Sequence, residues 1–527
     1  MHSFLKNNIF SISFGTSISK LAGCIRQIFI AAAFGVGITY DAFNYAYIIP
    51  GLFLIIIGGI NGPLHNAVVA VLTPLNKKNG GIVLTKVCIK LCFLLFCLSI
   101  LIYFNSSLFI ELLAPNLSYE GKSIASYQLK ILTPCIPLSG FIGLSFGALN
   151  SRSKFFLSSV SPAITSLTII FFIVISWIFK EQNTYSNFHS YSGLLAFATL
   201  AGTFIQFVLQ IWEINKIGLL SREFTLQRFK NEEKRILKLI IPASITSGLS
   251  QINVFIDMFF ASSFQGAASG LAYGNLLIQA PLGIISNSLI LPLLPKFSKL
   301  RSDKDNRELQ KKLISGIEYC FLTTIFLTGF FITFNNQIVQ LVFQRGAFDY
   351  LATLKVKNIL IAYAVGIPFY LYRDLLVRTY YLIEKTKFPF KLSVTGIMLN
   401  IFFDWFLIGA PIKNFGNISP YNFGVVGLIL YSVIVNLIVC ILLSFNLQNE
   451  DINLPKLNLL KKIILMSLAS FIDSTLCINI LKNTHKYNSD FGEFLFLILG
   501  SLTFFIIYFL LTKYLKVNKI QIYQKRI

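Results

Sequence analysis

Cations set into apolar surroundings are the first feature of this sequence with chemical consequences. Gly15, Ser19, Ala22 and Arg26 follow one another at steps of four, three and four, which on a helix places them on one face, with Thr16 and Gly23 on its flank. That face is small and polar and leads to a guanidinium, while Lys20 lies on an adjoining face. A helix patterned this way can wall a cavity and present cations to an anionic ligand. The same pattern also describes a small-residue packing seam whose charges snorkel to an interface. Asp41 follows in a segment without Lys or Arg, where it can pair with an inward-facing cation or cap a helix N-terminus.

A second group of charges comes late in the chain. Asp374 and Arg378 stand at i and i+4, the spacing of a local ion pair, which leaves Arg373 without an obvious neighbouring partner. Asp257 and Asp404 are isolated acids in apolar runs, suited to a coupling cation or proton and equally to an interhelical hydrogen bond. Nothing resembles a catalytic constellation. The histidines at 2, 65, 189 and 485 are far apart, P-loop and HExxH patterns are missing, and no enzyme is expected. The eight cysteines are scattered without a CxxC pair, so neither a metal site nor a disulfide framework is expected, and no cofactor beyond a coupling ion of unidentified kind.

The elements that must carry these residues are membrane spans. The chain has 527 residues, of which 55% are hydrophobic, 13% charged and 52 are Phe. A soluble domain carries about twice that share of charge. Apolar windows recur at 8–34, 42–74, 82–105, 126–150, 155–179, 191–214, 238–263, 270–295, 313–333, 356–382, 389–411, 421–446, 459–481 and 491–515, each about the length that crosses a bilayer. The fold class is therefore an all-α polytopic membrane protein of about 14 transmembrane helices. Leu21-Ala22-Gly23-Cys24 has the form of a lipoprotein cleavage box, but Lys20 precedes it and the stretch before it lacks an apolar core. The first window is accordingly expected to stay on as a span.

Charge fixes direction. Lys77, Lys78, Arg152, Lys154, the stretches Lys216–Lys238 and Lys296–Lys312, Lys385, Lys387, Lys456 and Lys461 all fall in even-to-odd connections, and the opposite loops are nearly bare. By the positive-inside rule those connections and both termini are cytoplasmic. The net charge of +23 is then anchoring to an anionic leaflet, and no nucleic-acid partner is expected.

An internal repeat divides the spans. Phe34-Gly35, Ala46-Tyr47 and Pro50-Gly51 correspond to Phe264-Gln265-Gly266, Ala272-Tyr273 and Pro281-Leu282-Gly283. Ile136-Pro137 corresponds to Ile367-Pro368, and Lys154-Phe155 to Lys387-Phe388. Each pair is separated by about 230 residues, a period long enough for two parallel six-helix repeats with a C-terminal helix pair left over. The expected organisation is an N-terminal lobe at 1–225, a second lobe at 226–450 and two additional helices with a tail at 451–527. Parallel bundles of this kind can rock around a central cavity, the arrangement of an alternating-access transporter. Pro50, Pro137, Pro281 and Pro368 lie within spans and, with Gly58, Gly59 and Gly62, suggest bent, cavity-lining segments.

These residues resemble a known family. Gly23-Cys24-Ile25-Arg26-Gln27 followed by Phe34-Gly35, Asp41-Ala42-Phe43 and Pro50 is similar to the opening of the MurJ (MviN) lipid II flippases. Phe343-Gln344-Arg345-Gly346-Ala347-Phe348 resembles their FxRGAF segment, Leu113-Ala114-Pro115 their LAP segment, and Leu149-Asn150-Ser151 with Phe155 their LNS-plus-aromatic segment. The resemblance spans about residues 10–400. It implies the fold of the multidrug/oligosaccharidyl-lipid/polysaccharide superfamily, in which two six-helix lobes flank a cationic cavity and two extra helices form a groove for a polyprenyl tail. It also implies movement of lipid-linked peptidoglycan precursor from the inner to the outer leaflet of the bacterial plasma membrane, with cell-wall synthesis proteins as partners. The diphosphate-binding arginine would be Arg26, the preceding cation Lys20, and the acid after the first loop Asp41. Leu54 and Leu276 stand where many members carry arginines, and Gln27 replaces an acid, so Arg373 or Arg378 is expected to supply the missing charge. Gly58-Gly59-Ile60-Asn61-Gly62-Pro63 resembles cyanobacterial members. The alternatives are another exporter of the superfamily, carrying a drug or a different lipid-linked glycan, and a non-transporting membrane scaffold.

Overall fold

The structure, a computed structural model, describes residues 2–57, 59, 62–180, 188–220, 230–290, 293, 297, 306–408, 421–447, 452, 456–484 and 490–514. Gly58, Ile60, Asn61, His485, the expected boundaries at 225/226 and 450/451, and much of the two densest basic loops lie outside the described residues. Among those described, all regular structure is helical. The first half holds α1 (His2–Phe34), α2 (Ile38–Ile56), α3 (Pro63–Leu72), α4 (Lys77–Phe104), α5 (Ser106–Leu113), α6 (Tyr119–Leu132), α7 (Cys135–Ser151), α8 (Phe155–Val160), α9 (Pro162–Lys180) and α10 (Phe188–Ile217). There follow α11 (Lys230–Ala261), α12 (Ala267–Ile285) with a π-helical turn at Ser286–Ile290, α13 (Asn306–Thr333), α14 (Asn335–Phe343), α15 (Tyr350–Leu382), α16 (Lys387–Ile408), α17 (Gly424–Asn446), α18 (Lys456–Thr484) and α19 (Asp490–Tyr514).

Ten of these helices are individually long and apolar enough to cross a membrane, and the pair α6 and α7, bent by 45° at a short break, makes an eleventh. The three remaining expected positions are filled by α2 with α3, by α11 and by α18. The chain is a multi-pass membrane protein, consistent with fourteen spans. The window expected as one span at 42–74 is two helices, because Gly59 and Gly62 sit in the break and Pro63 opens α3, where its missing N–H costs nothing. Pro50, Pro281 and Pro368 remain inside continuous helices, while Pro134 and Pro137 flank the bend between α6 and α7.

Polar caps mark several starts. Asn76 accepts from the Asn79 N–H at 2.9 Å before α4, Ser118 from Gly121 at 3.1 Å before α6, and Asp349 from Ala352 at 2.8 Å before α15. Each satisfies a first-turn donor that the helix itself leaves open.

The chain forms two compact units, one of Met1–Ser269 and one of Gly270–Pro411 with Phe415–Ile527. In the first, α3 is the centre of a core in which Leu64, Val68 and Leu72 pack with Val83, Leu144 and Ile236. A Cβ at Gly147 would fall 2.6 Å from Val68, so only glycine allows α7 to lie this close to α3. Ile236 brings α11 into that core, and Lys90 on α4 pairs with Glu233 on α11. The first unit thus contains all of α11, although the repeat in sequence suggests a boundary before it.

In the second unit α15 is the central helix, held by Thr328 Oγ1 donating to the Ala364 carbonyl at 2.8 Å and Tyr380 Oη donating to Leu443 at 2.8 Å. The FxRGAF-like segment is a turn. Phe343 and Phe348 are buried against Tyr273, Gly346 takes a φ of +58°, and Arg345 donates to the Leu341 carbonyl at 2.6 Å. The last two helices dock on α13. Phe326 packs on Phe504, Phe505 and Tyr508, and Lys462 pairs with Glu318 at 2.6 Å.

The two ion pairs share a register. Glu318 stands 228 residues after Lys90, and Lys462 stands 229 after Glu233, both close to the period of the repeat. In each half the third span is tied to a seventh helix, with the two charges exchanged between halves. The C-terminal pair lies outside the six-helix repeat, yet α18 occupies in the second half the register that α11 occupies in the first.

Candidate functional site

The α1 face predicted from spacing is a packing seam over much of its length. Gly15 and Ala22 are buried, and a Cβ at Gly15 would lie 2.8 Å from the Ser159 side chain, so the lower part of the face packs on α8. Farther along, Phe29 stacks on Trp177 of α9 at 5.7 Å. Arg26 lies between these contacts. Its Nε is buried without a hydrogen-bond partner, and it makes no ion pair among the described residues. A desolvated guanidinium donor left open costs free energy, and it is the kind of group that an anionic ligand would satisfy.

Arg26 has defined neighbours. Gln27 accepts from the Tyr40 hydroxyl at 2.9 Å, joining α1 to the start of α2, and Tyr40 and Tyr47 both lie within electrostatic reach of Arg26. Tyr40 is also within reach of Asp41, so Arg26 and Asp41 share one neighbourhood. Sequence reasoning missed Tyr40 and Tyr47. Their spacing of seven residues, with Asn44 between them, was the available signal of a polar α2 face. Lys20 is exposed, about 9 Å along the helix axis from Arg26 and on a different face.

Asp41 has a structural task. Buried to 1% exposure, it accepts from the Ser269 N–H at 2.8 Å, the Ser269 hydroxyl at 2.7 Å and the Gly266 N–H. These are donors of the first turn of α12, so the carboxylate caps a helix 225 residues away rather than its own, with the favourable sign for a helix N-terminus. Close by, the Asn116 side chain donates to the Ser263 hydroxyl at 2.7 Å, and Ala114 of the LAP-like segment is buried with Tyr45 and Ala268.

Arg373 and Arg378 lie in the second unit, on α15. Arg378 Nε donates to Asp374 Oδ1 at 2.8 Å, the local pair that the spacing predicts, and Ser286 donates to the other carboxylate oxygen at 3.0 Å. Arg373 donates to Asn436 Oδ1 on α17 at 2.7 Å. Asn436 is the amide in the middle of a largely apolar span, a signal that could have identified the partner. Leu54 and Leu276 are half-buried. Asp257 is half-buried on α11 and Asp404 fully buried on α16, and no group of three or more His, Cys, Asp or Glu side chains converges among the described residues.

A sequence model of the family described as lipid II flippase MurJ matches residues 30–500. A Synechocystis protein described as a probable lipid II flippase MurJ is 38% identical over 428 residues, covering 81% of this chain and 78% of that one. A counterpart from Buchnera aphidicola subsp. Acyrthosiphon pisum is 30% identical over 413 residues, covering 76% and 78%. Among solved structures, a lipid II flippase MurJ in an inward closed conformation superposes with a TM-score of 0.74 at 26% identity, over 96% of this chain and 99% of that one. An inward-facing multidrug transporter of the MATE family shares the fold at a TM-score of 0.59 and 14% identity.

Proposed function

Because the chain belongs to the lipid II flippase MurJ family, we propose that it moves undecaprenyl-diphosphate-linked peptidoglycan precursor from the inner to the outer leaflet by alternating access, with Arg26 receiving the diphosphate. The observation that carries the assignment of Arg26 is its buried, unpartnered Nε in the neighbourhood of Tyr40 and Asp41. A phosphate oxygen would provide the missing acceptor, and a guanidinium can meet it in a forked, charge-assisted geometry. Lys20, exposed on the adjoining face, attracts the headgroup before it reaches Arg26. Asp41 supports the site by fixing the α12 N-terminus.

The membrane is the bacterial inner membrane, with both termini cytoplasmic, as the distribution of Lys and Arg supports. The chain transports without covalent chemistry, and each elementary charge moved through 100 mV supplies about 2.3 kcal/mol toward resetting the cavity. Leu54 and Leu276 favour one second reading, export of a different lipid-linked glycan through a cavity with fewer cations.

The test is complementation of a flippase-depleted bacterium while following lipid II exposure on the outer leaflet. Rescue by the wild type, lost on Arg26→Ala at equal expression, is the expected result. Failure of a well-inserted wild type would move the substrate to another lipid-linked glycan, and undiminished rescue by Arg26→Ala would remove Arg26 from the site.

A further inference from the structure

A cleft of about 400 Å³ opens in the first unit where α7 and α10 end, lined by Ser153, Lys154, Phe156, Leu209, Trp212 and Glu213 among others. The turn that forms it is tightly tied. Ser153 takes a φ of +58°, and the N–H groups of Arg152 and Lys154 both donate to the Leu149 carbonyl at 3.0 Å. This geometry leaves the Lys154 side chain exposed and without an ion pair among the described residues. Lys216, one turn beyond Trp212, places its Nζ 5.1 Å from the centre of that indole ring. Glu213 lines the same cleft and likewise has no ion pair among the described residues. Arg152 is engaged elsewhere, donating to the Leu75 carbonyl at 2.8 Å, so the cations facing outward are the two lysines.

The chemistry of the lining is mixed in an informative way. Trp212 and Phe156 are 59% and 51% exposed at helix ends, the level of a bilayer interface, with Leu209 on the apolar side. The lysines are compact, mobile point charges suited to a phosphodiester. Glu213 is an acceptor that a plain phosphate would avoid and that a hydroxylated headgroup can satisfy by donating O–H. We propose that this cleft binds an anionic phospholipid with a hydroxylated headgroup, of the phosphatidylglycerol type. The phosphate sits between Lys154 and Lys216, a glycerol hydroxyl donates to Glu213, and the acyl chain descends past Phe156 and Leu209. The inference is independent of which molecule the chain flips.

Trp212 supplies the readout. In the full-length chain carrying Trp177→Phe and Trp405→Phe, reconstituted into nanodiscs of phosphatidylcholine, the Trp212 emission is followed as phosphatidylglycerol or phosphatidylethanolamine with brominated acyl chains is titrated in. Phosphatidylglycerol is expected to reach half-maximal quenching at a mole fraction severalfold lower than phosphatidylethanolamine. Lys154→Ala with Lys216→Ala should remove the preference, at roughly 5-fold per lysine. Lys77→Ala with Lys234→Ala, which removes two exposed cations elsewhere in the unit, should leave it intact. Equal quenching by the two lipids, or a preference that survives the Lys154 and Lys216 substitutions, would overturn the assignment. So would release of the lipid by millimolar inorganic phosphate, which would reassign the cleft to a soluble anion.

Discussion

Asp41 and Arg26 lie in one neighbourhood and do opposite things to stability. Asp41 completes three hydrogen bonds to the first turn of α12, and Asp41→Ala would leave Gly266 and Ser269 donors buried and open. Charge-assisted bonds of this kind contribute about 1.5–3 kcal/mol each and are not additive, so a loss of about 2–4 kcal/mol is expected, read as a lowered melting temperature in detergent. An unchanged melting temperature would mean that the α12 cap is replaced by water. Arg26→Ala, by contrast, removes a donor that has no partner and should hold or raise the melting temperature while abolishing flipping. A parallel loss of both would make Arg26 a packing residue. The sequence carried the identity of both residues but not this division of labour. Spacing on α1 gave the face and the arginine. The donors that Asp41 meets are 225 and 228 residues distant and belong to a tertiary contact that no local pattern encodes. Arg378 is the converse case, because its partner Asp374 is one turn away and legible.

At the level of helices, hydropathy located the spans, since a bilayer demands a long apolar run wherever the chain crosses it. It was weaker on breaks. The window at 42–74 read as continuous because the Gly59–Pro63 interruption is too short and too weakly polar to outweigh its apolar flanks in a span-length average, and the turn that divides α2 from α3 depends on backbone freedom rather than hydropathy. The place of α11 was also hidden. Its docking on α3 and α4 rests on Ile236 and on the pair Lys90–Glu233, and a repeat detected by matching residues misses a pair whose charges are exchanged. That exchange can be tested. Glu233 has an 8% exposed side chain and Lys90 one 61% exposed, so the pair is only half-buried and a coupling energy of about 1–3 kcal/mol is expected. Lys90→Glu or Glu233→Lys alone should lower the melting temperature, and the two together should recover most of the loss. Additive losses in the double variant would show that the contact is incidental.

For the whole molecule, the distribution of basic residues predicts an orientation independently of packing. In a background whose native cysteines are replaced, Tyr119→Cys and Tyr350→Cys, both at exposed positions, should react with a membrane-impermeant maleimide in intact spheroplasts. Lys77→Cys should react only after permeabilisation. The reverse pattern would invert the topology and with it the direction of transport proposed above. The exchanged ion pairs carry a further consequence, which concerns time rather than structure. Lys90 precedes its partner by 143 residues and Glu318 precedes Lys462 by 144, so at 5–20 residues per second each first-made charge leaves the ribosome roughly 7–30 s before its counterion exists. In the first half the early charge is a lysine whose long side chain stays 61% exposed and can snorkel toward the membrane surface. In the second it is Glu318, whose side chain ends only 14% exposed. A nascent chain that stalls before Lys462 has been made therefore holds a carboxylate in the membrane with no cation to meet it, and the second half, not the first, sets the hazard of biogenesis.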